Sequence, residues 1–239
     1  MKTCLVTGAS GDIGGNIAKD LVQDGWQVIL HCNQNLERLQ EQTKGFPSES
    51  ILSCIQADLS TSEGIQTLMD QLYFKVDALV YASGKALFSL FQDVTDEDME
   101  EMILLHMQAP MKIARYLLPD MIKQKSGHIV LISSIWGNIG ASNEVLYSTV
   151  KGAQNSFVKA LSKEVAASGI RVNAVSPGVI DTKMNEHLSA EERDALFDAI
   201  PQNKFGSTQD VSNVVQFLFS ERAQYIDGQI INVNGGFSS

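Results

Sequence analysis

Cysteine is scarce in this chain, and the three present carry no chemistry-bearing spacing. Cys4, Cys32 and Cys54 are odd in number, lie in apolar segments, and form neither a Cys-x-x-Cys nor a metal-ligand pattern. That excludes a disulfide framework and a thiolate metal site, and no metal is expected. The thiols read as buried core residues of a protein kept in a reducing compartment, the cytoplasm. Also missing is any apolar stretch near the ~18 residues that a membrane-spanning helix needs, and no secretory signal is expected at the N-terminus. Positive charge is in short supply: 18 Lys and Arg stand against 28 Asp and Glu, a formal net charge of −10. Neither nucleic acid nor an anionic membrane is therefore expected as a partner. A whole-molecule attraction to a strongly acidic carrier protein is disfavoured on the same ground. No internal repeat, low-complexity tract or linker interrupts the chain.

What is present is a regular alternation. Apolar strand-like runs fall at about 3–7, 27–32, 51–56, 76–82, 128–133, 171–176 and 229–233, with helical segments between them. For 239 residues this predicts one α/β domain over 1–239: a doubly wound, seven-stranded parallel sheet of Rossmann type. Its site is expected at the C-terminal ends of the strands. Thr95 and Asp98 predict a helix start for 96–118, kinked at Pro110 and ended by Pro119. Residues 179–205 show no strand signal and hold a short helix opened by Ser189-Ala190-Glu191-Glu192. An excursion of that length inside a compact domain suits a cover over a site.

Two constellations carry chemistry. Tyr147 and Lys151 are four apart, hence on one helix face. A free phenol titrates near ~10, and a neighbouring ammonium is expected to lower that value, making Tyr147 a usable general acid or base. Ser134 follows the apolar run Ile129-Val130-Leu131-Ile132, placing a hydroxyl at a strand tip where it can hold the same substrate oxygen. This is chemistry for a carbonyl/alcohol pair. At the N-terminus, the strand ending at Thr7 runs into Gly8-Ala9-Ser10-Gly11-Asp12-Ile13-Gly14-Gly15 and then a helix with Ile13, Ile17 and Leu21 on its inner face. Strand, glycine turn and helix form the arrangement that seats a pyrophosphate on backbone N–H groups.

In these motifs the chain resembles the short-chain dehydrogenase/reductase family from about residue 2 to its end. Thr7, Gly8 and Gly14 match the glycine signature; Ser134, Tyr147 and Lys151 fall on the catalytic positions. Asn173, Pro177-Gly178 and Thr182 match the segment that closes over the nicotinamide, and Ile226-Asp227-Gly228-Gln229 with Val233-Asn234-Gly235-Gly236 match the usual ending. The resemblance implies a nicotinamide cofactor held by Gly8, Ser10, Asp12, Ile13, Gly14, Asn33, Asp58, Leu59, Ala82, Ser83, Gly84, Tyr147, Lys151, Pro177, Gly178, Val179, Ile180 and Thr182. It also implies a homotetramer or homodimer, joined through the helices of 96–118 and 145–167 and through the C-terminal end. The segment His31-Cys32-Asn33-Gln34-Asn35 ends the second strand without the acid that receives ribose hydroxyls in NAD-specific members; no arginine sits there either, although Arg38 is near, and NADP(H) is expected over NAD(H).

Departures from the family pattern are diagnostic. Asp12 replaces the middle glycine; it either caps the helix, the expected role, or opposes the pyrophosphate. Tyr81-Ala82-Ser83-Gly84 stands where Asn-Asn-Ala-Gly is usual. His106 takes the place of the asparagine that holds a water beside the lysine, and is either a proton relay or a packed histidine. With Ser133-Ser134-Ile135-Trp136-Gly137 and Gly140 to Tyr147, these features resemble a bacterial branch of the family. That resemblance implies a ketone substrate attached to a protein: the 5-aminopentanone group on a lysine of elongation factor P. Glu144 then either neutralises the terminal amine or is a solvated loop charge. The rival is a 3-oxoacyl-[acyl-carrier-protein] reductase of fatty-acid synthesis, for which Lys123, Lys125 and His128 would form a basic docking patch. A non-catalytic nicotinamide-binding sensor is the third reading.

Overall fold

A computed structural model of the chain describes residues 1–185 and 189–237, without the side chain of Met184. Seven strands, Thr3–Thr7 (β1), Gln27–Cys32 (β2), Ile51–Gln56 (β3), Ala78–Tyr81 (β4), Gly127–Ile132 (β5), Ile170–Pro177 (β6) and Ile230–Val233 (β7), form one sheet in the order β3-β2-β1-β4-β5-β6-β7, all neighbours parallel. The helices are Asp12–Gln23 (α1), Leu36–Thr43 (α2), Ser62–Asp70 (α3), Asp96–Ile103 (α4), Ala109–Gln124 (α5), Trp136–Ile139 (α6), Val145–Val165 (α7), Ala190–Ala199 (α8) and Thr208–Phe219 (α9).

Side chains alternate across the sheet, so each strand feeds two cores. Leu5, Ile29, Leu79, Ile129 and Val172 face α3, α5 and α7 through Leu68, Ile113 and Val158. Cys4, Val28, Val80, Val130 and Val175 face α1, α2 and α9 through Ile17, Leu39 and Val215. Burial on both faces explains why the strands read as continuous apolar runs. Strand order reverses between β1 and β4, opening a crevice at their C-terminal ends, where ligands bind in sheets of this kind. Cys54 departs from expectation: β3 is an edge strand and leaves this thiol exposed, while Cys4 and Cys32 are buried.

The helix predicted over 96–118 is divided differently. Thr95 and Asp98 do form a reciprocal capping box, but α4 stops at Ile103 and Leu104–Gln108 is wound as a π-helix. Pro110 lies in the first turn of α5, where its missing N–H cannot serve the His106 carbonyl. The Gln154 side-chain amide donates to that carbonyl instead, at 2.7 Å. The Tyr81 hydroxyl donates to the Leu105 carbonyl at 2.5 Å. Pro119 does not end the helix, which continues to Gln124. It sits on the exposed face, where the carbonyl it leaves unpaired meets water.

The excursion after β6 is closed at its base by an Ile180–Gly206 bridge. Ser189 caps α8 reciprocally with Glu192, as its sequence predicts. Among the described residues no helix is long and apolar enough to cross a membrane.

Candidate active site

β1 delivers Thr7 to the crevice floor, where its hydroxyl accepts the backbone N–H groups of Ala82 (3.2 Å) and Ser83 (3.3 Å), locking the ends of β1 and β4 together. The next residue must turn at once. Gly8 does so with φ +66°, and a Cβ there would stand 2.8 Å from the Ala82 carbonyl oxygen, so only glycine fits. Gly14 brings α1 onto the turn; a Cβ on it would lie 2.4 Å from the Gly8 oxygen. His31 holds the turn from β2. Its Nδ1 accepts the Gly8 N–H at 3.2 Å and its Nε2 lies 2.9 Å from the Ala57 oxygen. These partners assign the neutral ring with its proton on Nε2, and burial pushes the group down to about 4.

A cleft of about 740 Å³ opens above this turn. Of the residues named from sequence, Gly8, Ser10, Asp12, Ile13, Gly14, Asn33, Asp58, Leu59, Ala82, Ser83, Gly84 and Thr182 line it. Pro177, Gly178, Val179, Ile180, Ser134, Tyr147 and Lys151 do not. Two features of the wall fit a dinucleotide. The first N–H groups of α1, which lack helical partners, stand at the positive end of the helix, where an anion is favoured, and the Ser83 hydroxyl is buried in the wall without a hydrogen-bond partner. His31 and Arg38, not among the expected ligands, also line the cleft. Asp12 does not cap α1. It is the first helical residue, and its carboxylate accepts from Arg38 Nη2 at 2.5 Å and from the Lys183 N–H at 2.9 Å.

Tyr147 and Lys151 lie on the buried face of α7, one turn apart, with Ser134 just beyond β5. The Lys151 Nζ donates to the Ile132 carbonyl at 2.9 Å and stands 5.5 Å from the centre of the Tyr147 ring. The expected lowering of the phenol by this ammonium is overturned. Burial pushes Tyr147 up to about 12, a hydrogen bond from Ser134 opposes that, and the nearby Glu144 carboxylate adds to it. Burial also pushes Lys151 down to about 7, which weakens the cation meant to act on the phenol. At neutral pH the Tyr147 phenol is therefore protonated.

His106 is buried in the π-helical segment, its ring edge-on to Tyr147 at 5.7 Å. Its Nε2 lies 3.0 Å from the Lys85 oxygen, while Nδ1 is buried without a partner. Burial, with Lys151 and Lys85 nearby, keeps the ring neutral. Gly84 makes room for it, since a Cβ there would meet His106 Cε1 at 2.8 Å.

Sequence reading missed the polar chain that holds this wall. The Ser133 hydroxyl donates to Asn155 Oδ1 (2.7 Å), Asn155 Nδ2 to Asn138 Oδ1 (2.9 Å), and Asn138 Nδ2 to Asn232 Oδ1 (3.0 Å). Only Ser133 belonged to a motif, and single amides scattered over a hundred residues give no pattern. Asn173 is not at the nicotinamide end: it sits within β6 and clamps the Ile226–Gln229 turn through its amide. The expected docking patch lies away from the site. His128 is buried against Arg171, 3.2 Å away, and with Lys123 and Lys125 it lies at the N-terminal end of β5, a strand's length from the site, roughly 20 Å.

Comparison with known proteins agrees with this architecture. The sequence profile described as enoyl-(acyl carrier protein) reductase matches residues 8–238. An uncharacterized oxidoreductase, YmfI of Bacillus subtilis, is 45% identical over 99% of this chain and 98% of its own. A 3-oxoacyl-[acyl-carrier-protein] reductase FabG of Thermotoga maritima is 32% identical over 98% of this chain and 97% of its own. The structure of 4-hydroxyisoleucine dehydrogenase complexed with NADH superposes with a TM-score of 0.93 at 26% identity, covering 100% of this chain and 99% of that one. With the glycine turn, the Ser134, Tyr147 and Lys151 cluster and the sheet order in place, the chain belongs to the short-chain dehydrogenase/reductase family and is a nicotinamide-dependent oxidoreductase.

Proposed function

We propose that this oxidoreductase is an NADPH-dependent cytoplasmic ketone reductase, and that its substrate is the 5-aminopentanone group on a lysine of elongation factor P. The observation that carries the substrate is Glu144. It stands at the N-cap of α7, three residues before Tyr147, so a carboxylate lies beside the catalytic phenol as a counter-charge for a substrate ammonium. For the cofactor, Arg38 in the cleft wall and the absence of an acid at the end of β2 favour a 2′-phosphate.

When bound, the reduced nicotinamide supplies hydride to the ketone carbon. Tyr147 donates its proton to the ketone oxygen, which Ser134 holds by its hydroxyl; the two dipoles stabilise the developing alkoxide. Lys151, near neutrality, restores the tyrosine proton, and His106 offers the bare Nδ1 as an acceptor for the water that feeds the lysine. The groove of about 380 Å³ between α5 and α7, lined by Met111, Leu118 and Phe157, suits self-association as a homodimer or homotetramer.

A second reading, 3-oxoacyl-carrier reduction, is favoured by the resemblance to FabG proteins, but the cluster expected to dock a carrier faces away from the site. Oxidation of NADPH is measured with aminopentanone-modified elongation factor P and with a 3-oxoacyl thioester. Faster turnover of the modified protein is expected. Preference for the thioester overturns the substrate, and silence on both with NADPH bound returns the sensor reading.

A further inference from the structure

Asp12 stands on the wall of the dinucleotide cleft at the positive end of α1, the place where a phosphate is favoured. Its carboxylate is fully engaged across the cleft. One oxygen takes Arg38 from α2, 26 residues on; the other takes the Lys183 N–H, 171 residues on. Among the described residues the cleft wall carries three Lys and Arg side chains, Arg38, Lys85 and Lys183. Arg38 is paired with Asp12, and Lys85 with Glu101 on the same wall. A cleft lined for an anion thus already holds one of its own.

We propose that Asp12 is a resident competitor for the dinucleotide's phosphates, and that the Asp12–Arg38 pair sets which nicotinamide cofactor the protein takes. Incoming phosphate replaces the carboxylate as the partner of Arg38, a planar guanidinium suited to bidentate phosphate contact. The same exchange releases the Lys183 N–H and with it the start of the segment after β6. A cofactor with a 2′-phosphate has one more dianionic group to offer Arg38 than one with a free hydroxyl. NADPH therefore has to break the Asp12–Arg38 pair to use that guanidinium and NADH does not, so Asp12 weakens NADPH more than NADH. The side chains of both partners are about a quarter exposed (27% and 26%), so the pair is strong enough to hold and weak enough to be exchanged.

This inference rests on the cleft being the dinucleotide site, and not on the identity of the ketone. The test is therefore calorimetric titration of NADPH and of NADH into the free protein with no ketone present. Asp12→Asn keeps the shape and removes the charge; Asp12→Gly is the second variant should the first fail to fold. Either is expected to tighten NADPH about tenfold and NADH by much less, and to lose the NADPH gain when Arg38→Ala is added. Unchanged or weaker NADPH binding in both Asp12 variants overturns the proposal. So does an equal gain in the Arg38→Ala background, or weakened NADH with NADPH unmoved, which would make Asp12 a ribose ligand. A failure of wild type and variants to bind either cofactor overturns it together with the cofactor assignment. A wrong ketone substrate leaves every one of these titrations unaffected.

Discussion

Around the glycine turn, charges are neutralised in pairs within reach of solvent: Asp12 with Arg38, and Lys85 with Glu101. Around Tyr147 burial governs the charged groups instead. Lys151 is buried on a backbone carbonyl, His106 is held neutral, and the phenol is pushed up to about 12. The first wall keeps its charges exchangeable, which suits a ligand that arrives carrying charge. The second removes charge by desolvation, so a proton moves only when a substrate oxygen demands it. The two walls thus differ in how they treat charge: one pairs it near solvent, the other buries it.

The comparison breaks most sharply at the deep end. Tyr147→Phe should lower turnover by at least about 100-fold while NADPH still binds, measured by steady-state rates beside a cofactor titration. Retention of more than a few per cent of activity would sink the assignment of Tyr147 as proton donor.

A second test uses pH. His31, pushed down to about 4, has a folded value below the ordinary ~6.5, so its neutral form is the one that the fold favours. Its contribution is complete above pH ~6.5 and is lost as pH falls toward 4, by about 3 kcal/mol. His128, also about 4, adds to the same slope. Denaturant midpoints should fall across that window, and His31→Gln should flatten the fall by roughly half. An unchanged slope would remove His31 from its place under the turn.

Smaller effects are expected around the glycine turn. Gly14→Ala forces a Cβ to 2.4 Å from the Gly8 carbonyl and should cost about 1–3 kcal/mol by chemical denaturation. The smallest is Asp12→Asn, which removes a partly exposed ion pair. It should change stability by less than about 1 kcal/mol, and by less still in high salt. A larger loss would mean that Asp12 is structural rather than exchangeable.

Much of this architecture was legible without coordinates. The seven apolar runs lie within two residues of the seven strands, since burial on both faces leaves a continuous signal. The glycine turn and the Tyr147/Lys151 spacing are local patterns, and local patterns survive in one dimension. The paired prolines misled for an equally physical reason: Pro119 faces water and does no damage, while Pro110 helps to free a carbonyl within a π-helical turn.

Amino-acid order alone therefore determined the alternation of strands and helices, the glycine turn and the Tyr147/Lys151 spacing, because each is a pattern among neighbours a few residues apart. Tertiary structure decided that Asp12 pairs with Arg38 and the Lys183 N–H rather than capping its helix. It also decided that Tyr81 props Leu105, that His31 supports Gly8, and that Lys123, Lys125 and His128 lie at the far end of the sheet. Those outcomes join residues from 23 to 171 positions apart, or turn on how deeply a group is buried. Burial is a property of the packed molecule, which is why the phenol that proximity to Lys151 was expected to lower is pushed up instead.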